Sequence, residues 1–166
     1  MLKEKAQLSA ICISRGGIPK RTVFCAGVSF EGLQGDGHNH VKHNHPNQAV
    51  CLQDVEILQE LSKEGFLLSC GTIGENLTVS HLNLRDLPLG TVLQFSGGVV
   101  LELTKERKPC YVLDAIDPRL QQSILGRCGV YAKVLKEGML MVGETIEVVS
   151  HPAELAASPL KVYCSR

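Results

Sequence analysis

The sequence has no charge excess, no CxxC pair and no long apolar run, and each absence removes a class of function. Seventeen basic side chains face seventeen acidic ones, so the net charge is zero. Non-specific nucleic-acid binding needs a surplus of positive charge to displace counterions from phosphates, so no nucleic-acid partner is expected. No uninterrupted apolar stretch nears the ~20 residues that cross a bilayer, so no membrane partner is expected either. The opening segment MLKEKAQLSAICIS holds too short an apolar run for a signal peptide. Seven cysteines stand at 12, 25, 51, 70, 110, 128 and 164. That odd, scattered set excludes a zinc ribbon and a thioredoxin-type pair. It also fits no iron–sulfur spacing, and no flavin or haem motif accompanies it. The sequence therefore reads as a reduced, soluble, cytoplasmic protein.

What is present describes one domain over residues 1–166, with a core at about 8–149 and a peripheral arm at 150–166. Hydrophobic residues make up 44% and charged residues 20%, an ordinary globular balance. A chain of this size buries roughly 70% of its unfolded surface and needs no staples. Strand-type runs occur at 8–14, 22–29, 48–52, 76–80, 91–95, 99–104, 130–135 and 144–149, separated by Gly- and Pro-containing turns. One helix is expected from Asp54 to about Glu64, with Asp54 as N-cap, Val55, Leu58 and Leu61 on one face and Gly65 ending it. A second is expected at 118–125, between Asp117 and Gly126. Many short strands and few helices predict a mainly β fold, a β-barrel with peripheral helices.

Among the cysteines, Cys12, Cys25 and Cys51 sit in apolar runs and read as buried small hydrophobes. Cys70 and Cys128 stand beside glycines. Cys110 differs, because KERKPC places it after three cations and a proline. Positive charge near a thiol favours the thiolate, the form that attacks electrophiles and binds soft metals. The loop 31–47 carries His38, His40, His43 and His45 without a defined carboxylate or thiolate partner. Metal ligation and plain surface histidines both remain open readings there. The glycines around Asp36 permit a tight turn whose N–H groups could face an anion. Lys20, Arg21 and Arg127 lie on loops beside proline or glycine, either as an anion-recognising set or as solvated charges.

Taken in order, several segments resemble the MOSC family, named for the C-terminal domain of molybdenum cofactor sulfurase. They are GGIPKRTV (16–23), GLQGDGH (32–38), KH with PNQAVCL (42–43 and 46–52), GENLTV (74–79), DLPLGTVLQF (86–95), RKPC (107–110), GRCGVYAKVL (126–135) and GMLMVGETIEV (138–148). The resemblance implies a MOSC-type β-barrel binding the molybdenum cofactor, with Cys110 as catalytic residue and metal ligand. It further implies cofactor-binding roles for Lys20, Arg21, His43, Asn76, Arg107 and Arg127. His40 and His45 depart from many relatives. Three functions follow as expectations: reduction of N-hydroxylated compounds at the metal, sulfur carriage by a Cys110 persulfide, or cofactor binding without catalysis. The expected partners are a small-molecule substrate and an electron-donor protein, or a sulfur donor or acceptor protein. No pyridoxal phosphate is expected, because the domain fused to relatives that use it is missing from this sequence.

Overall fold

The computed structural model describes residues 4–37 and 45–150. Its strands are β1 (Gln7–Ile13), β2 (Arg21–Val23), β3 (Cys25–Ser29), β4 (Gly32–Leu33), β5 (Val50–Asp54), β6 (Leu77–Ser80), β7 (Val92–Phe95), β8 (Val100–Glu106), β9 (Val130–Lys136), β10 (Gly138–Met141) and β11 (Ile146–Ser150). Two α-helices join them, α1 (Val55–Lys63) and α2 (Leu120–Ser123). The mainly β expectation is met. Eight strands form one sheet in the order β11-β7-β8-β9-β5-β6-β1-β2, and β10-β3-β4 form a second. All pairs are antiparallel except β5 with β6, which flank α1 in sequence and so make a β–α–β unit. β5 is buried at all five positions, as suits a central strand covered on both faces.

The barrel does not close through a full ladder among the described residues. The free side of β1 is divided: residues 11–13 pair with β2, leaving only its first residues to meet the far end of the sheet. There the Leu8 N–H donates to Glu144 O at 2.9 Å, the Gly143 N–H to Leu8 O at 2.8 Å and the Ile146 N–H to Ala6 O at 2.9 Å. The curled sheet is stitched at one corner rather than zipped along its length.

Two hydrophobic clusters result. The larger fills the curl of the sheet with Leu8, Ile11, Leu52, Leu77, Leu93, Phe95, Leu101 and Leu103. The smaller lies outside it, where Ile57, Leu58 and Leu61 of α1 meet Phe66, Ile73, Leu113, Leu120, Ile124 and Cys128. This second cluster binds the segments around 66–73 and 113–128 into one body, and the loops described below hang from it.

Several local expectations need correction. The run 22–29 splits at exposed Phe24 into β2 and β3, which enter different sheets. Cys25 is consequently exposed, since it opens β3 on its outer face opposite Met141. On α1, Ile57 replaces Val55 on the buried face. The second helix is one turn, 120–123, preceded by a 3-10 turn at Tyr111–Ala115. β10 and β4 follow no strand-type run identified above. The proposed arm at 151–166 lies outside the described residues. No helix among those described is long and apolar enough to cross a membrane.

Asp54 stands at the N-cap of α1, yet its side chain makes no capping bond. Both carboxylate oxygens instead accept from the Leu84 N–H, at 3.0 and 3.3 Å. Burial pushes this carboxyl up to about 6 from an ordinary 3.8, against the pull of the Leu84 N–H. The folded state therefore binds the proton more tightly than the unfolded state. The stabilisation from that extra proton affinity is present at low pH and lost as pH rises through about 6. Asp54→Asn keeps an acceptor for Leu84 and abolishes the titration. Urea unfolding should show the variant gaining on wild type by roughly 2 kcal/mol between about pH 4.5 and 8. A difference independent of pH would refute this assignment.

Candidate functional site

Five loops interlock at one end of the central strands. The first, 15–20, follows β1, and its Lys20 N–H donates to Gly71 O at 2.8 Å. Gly71 has φ +85°, and a Cβ there would stand 2.3 Å from Lys20 O, so only glycine permits this approach. The second loop contributes Asp36, whose carboxylate accepts from the Ser14 N–H at 2.9 Å, Lys20 Nζ at 2.6 Å and Asn76 Nδ2 at 2.8 Å. The third, 70–76, reaches Arg107 through Ile73 O, which accepts from Nη2 at 2.5 Å. The fourth, 107–110, joins the fifth through the Arg107 N–H, which donates to Gly129 O at 2.9 Å. Gly129 repeats the logic of Gly71: φ is +88°, and a Cβ would lie 2.2 Å from Leu52 O.

Within this frame the expected residues have different standings. Asn76 is buried and its amide is consumed internally: Oδ1 accepts from the Cys51 N–H at 3.0 Å, and Nδ2 donates to Asp36 and to Cys12 O. It ties three segments together and has little left for a ligand. Lys20 keeps 13% of its side chain exposed while paired to Asp36. Arg21 is exposed on β2 and makes no ion pair among the described residues. Arg107 is half-buried; besides Ile73 O it places Nη1 3.9 Å from Cys51 Sγ, and it touches no carboxylate in the described set. Arg127 turns to α1, donating to Glu64 from Nη1 at 2.7 Å and from Nη2 at 3.0 Å, with Ser123 O as further acceptor. It clamps the helix. His43, His38 and His40 lie outside the described residues. His45 is exposed and caps the 3-10 turn Pro46–Gln48, its Nδ1 accepting from the Asn47 N–H at 3.2 Å.

The thiols divide in the same way. Cys12, Cys51 and Cys128 are buried, as expected of the first two. Burial pushes Cys12 up to about 12 and Cys128 up to about 11, and raises Cys51 as well. These three are neutral thiols at neutral pH. Cys110 is half-buried and opens the 3-10 turn 111–115. A cleft of about 950 Å³ is lined by Arg107, Lys108, Pro109 and Arg127, but not by Cys110, Lys20, Arg21 or Asn76. Cys110 thus stands one residue beyond the cleft wall.

Two residues escaped the sequence reading. The turn around Asp36 offers no N–H groups to an anion: the Asp36 N–H donates to Leu33 O and the Gly37 N–H to Ser14 O. The aspartate itself is the anion, turned inward. The other is Glu75, fully buried in GENLTV, whose signal was a carboxyl between a glycine and a strand. No group of three His, Cys, Asp or Glu side chains among the described residues could hold a metal ion.

The family model for the MOSC domain matches residues 38–147. The chain belongs to the MOSC domain family. The YflK protein of Bacillus subtilis is 33% identical over 145 residues, 81% of this chain and 63% of that protein. A protein of Gibberella moniliformis named as a reductase is 30% identical over 138 residues, 78% of this chain but 24% of its own length. This MOSC chain therefore spans less than two thirds of either relative. Among solved structures, the YUAD protein of Bacillus subtilis superposes with a TM-score of 0.74 at 19% identity, over 86% of this chain and 94% of its own. YiiM of Geobacillus stearothermophilus gives 0.73 at 24% identity, over 87% and 75%. Both likenesses concern the fold, and the MOSC fold is what this chain shares with them.

The Asp36 node yields a stability prediction. Asp36→Ala removes the acceptor of three donors in a nearly solvent-free place, where the carboxylate is 1% exposed. It should cost about 2–4 kcal/mol in urea unfolding. Asp36→Asn should cost less, because its amide oxygen still accepts from part of the same donor set. Equal losses, or a smaller loss for Asp36→Ala, would contradict the node.

Proposed function

We propose that this MOSC domain binds the molybdenum cofactor and reduces N-hydroxylated compounds, with Cys110 as the metal ligand. The observation that carries the reading is the sorting of thiols within one locked frame. Cys12, Cys51 and Cys128 are buried and protonated; of the half-buried thiols Cys70 and Cys110, Cys110 is the one that follows the cations Arg107 and Lys108, on a segment held by loops 70–76 and 126–129. The reductase-named relative points to the same class of reaction.

The residues present fit the group chemically. A lone thiolate is a soft ligand suited to such a metal. The cofactor's phosphate needs cations, and Arg21 and Lys108 are exposed and free of ion pairs among the described residues, with Lys20 beside Arg21. Arg107 adds a half-buried positive charge beside Lys108 in the wall of the cleft. When bound, the cofactor supplies the two-electron chemistry, and the protein supplies position and field. Cleavage of the N–O bond to an amine and water consumes two electrons and two protons. The electrons come from a partner redox protein, and the six free cysteines of the described residues suit a reducing cytoplasm.

The test is elemental analysis with pterin fluorescence on protein from a cofactor-competent host, then N-hydroxylated substrate turnover with a chemical reductant. Wild type should carry molybdenum near one equivalent. Cys110→Ser should fold normally yet lose turnover to background, because a serine hydroxyl stays protonated at neutral pH and ligates poorly. Cys12→Ser and Cys51→Ser should instead lose about 1–3 kcal/mol of stability and stay active while folded. Full turnover by Cys110→Ser would overturn the assignment. A Cys110 persulfide without molybdenum would replace it with sulfur carriage.

A further inference from the structure

The proposed mechanism makes no use of Glu75, yet this carboxyl has no solvent exposure at all. Burying a carboxyl is costly, so its surroundings must hold it firmly. Oε1 accepts twice, from the Gly71 N–H at 2.7 Å and the Thr78 hydroxyl at 3.0 Å. Oε2 has no partner among the described residues. The bond to Gly71 closes residues 71–75 into a compact turn, which the Gly74 N–H reinforces by donating to Gly71 O at 3.1 Å.

That turn presents its carbonyls outward. Gly71 O holds the Lys20 N–H at 2.8 Å, and Ile73 O holds the Arg107 guanidinium at 2.5 Å. The packing leaves no slack, since a Cβ on Gly74 would lie 2.7 Å from Ile18 Cγ2 and one on Gly71 would meet Lys20 O. Any shift of the turn must move the 15–20 loop and the arginine together. We propose that Glu75 is a positioning residue, a clamp that sets the Lys20 loop and Arg107 for an anionic ligand. The inference rests on the anion-binding side of the reading above.

The bonding accommodates a proton on the carboxyl. Both donors point at Oε1, so a proton on Oε2 disturbs neither bond. Burial acts in the same direction, raising the carboxyl against the pull of the Gly71 N–H. The charged group facing it is Arg107, and its titratable neighbours are the buried thiols of Cys12, Cys51 and Cys128. A neutral Glu75 leaves the positive charge of Arg107 uncancelled and available to a ligand. An ionised Glu75 would cancel part of it.

The test measures amide hydrogen exchange at Lys20 and the side-chain N–H signals of Arg107 by NMR, in wild type, Glu75→Gln, Glu75→Ala and Thr78→Val. Glutamine keeps the Oε1 acceptor without a charge, so both probes should stay within about threefold of wild type. Alanine should speed Lys20 exchange by about tenfold or more and broaden the Arg107 signals, while amides in β8 and β9 stay protected. Should the alanine variant not fold, Thr78→Val, which removes one of two donors, must show a smaller shift of the same kind. Probes unmoved in folded Glu75→Ala and in Thr78→Val overturn the clamp. So does a Glu75→Gln protein that behaves like the alanine variant.

Pyrophosphate titration gives a second readout. Its Kd should rise about tenfold in Glu75→Ala and be rescued by Glu75→Gln. Tighter binding by Glu75→Gln than by wild type would instead show Glu75 opposing the ligand and overturn its positioning role. A wild type that binds no pyrophosphate would refute the anion-binding reading, while the exchange data still decide the clamp.

Discussion

A single buried carboxylate, Asp36, is what the candidate site depends on. Its three donors come from the end of β1, from the loop behind it and from the approach to β6. A carboxylate taken out of water is tolerable only when its lone pairs are filled and its charge is opposed, and here one ammonium and two N–H donors do both. Asn76 passes the constraint inward, since the same amide that donates to Asp36 also accepts from Cys51 and reaches Cys12 O. The loop bearing Lys20 is thereby bonded, through two side chains, to the middle of the sheet.

This bonding sits at a seam between two apolar bodies. The curled sheet has its own core, and α1 with the 113–128 segment has another. Packing is non-directional, so hydrophobic contact alone would leave the two bodies free to slide by small amounts. The polar contacts between them are directional: Arg107 to Ile73 O, the Arg107 N–H to Gly129 O, and Gln53 Nε2 to Arg127 O at 3.1 Å. A soft ligand on the 107–110 segment is useful only if that segment does not drift, and these bonds fix it.

The sequence read best where structure is local. Strand runs from alternation, the end of α1 at Gly65 with φ +102°, and Gly126 after α2 with φ +72° all follow from chemistry within a few residues. It read poorly where a side chain answers to a distant partner. Asp54 looked like a helix cap because capping is local, but its partner, Leu84, lies 30 residues on. Asp36 looked like the floor of an anion turn because its donors lie 16, 22 and 40 residues away. Arg127 looked free because Glu64 is 63 residues distant. Cys25 reads as a core residue because its apolar run does not announce that it changes sheets. Five of the segments that carry the family resemblance, at 16–23, 32–38, 74–79, 107–110 and 126–135, interlock through named hydrogen bonds.

The cations of this region form a graded series. Arg127 is fully engaged by a carboxylate and two carbonyl contacts, and it serves the helix. Lys20 is neutralised by Asp36 yet keeps an exposed flank. Arg107 is held by neutral partners, a carbonyl and a thiol, which orient its charge without cancelling it. Arg21 and Lys108 are exposed. An anion approaching from solvent meets the exposed cations first, and its gain there is modest because water screens them. Deeper in, each contact is worth more because the medium screens less, provided the charge has not been spent on a protein carboxylate. Arg107 is the cation that meets both conditions, and it stands three residues before Cys110. It meets them because its partners are neutral, which is a property of the fold rather than of the RKPC motif.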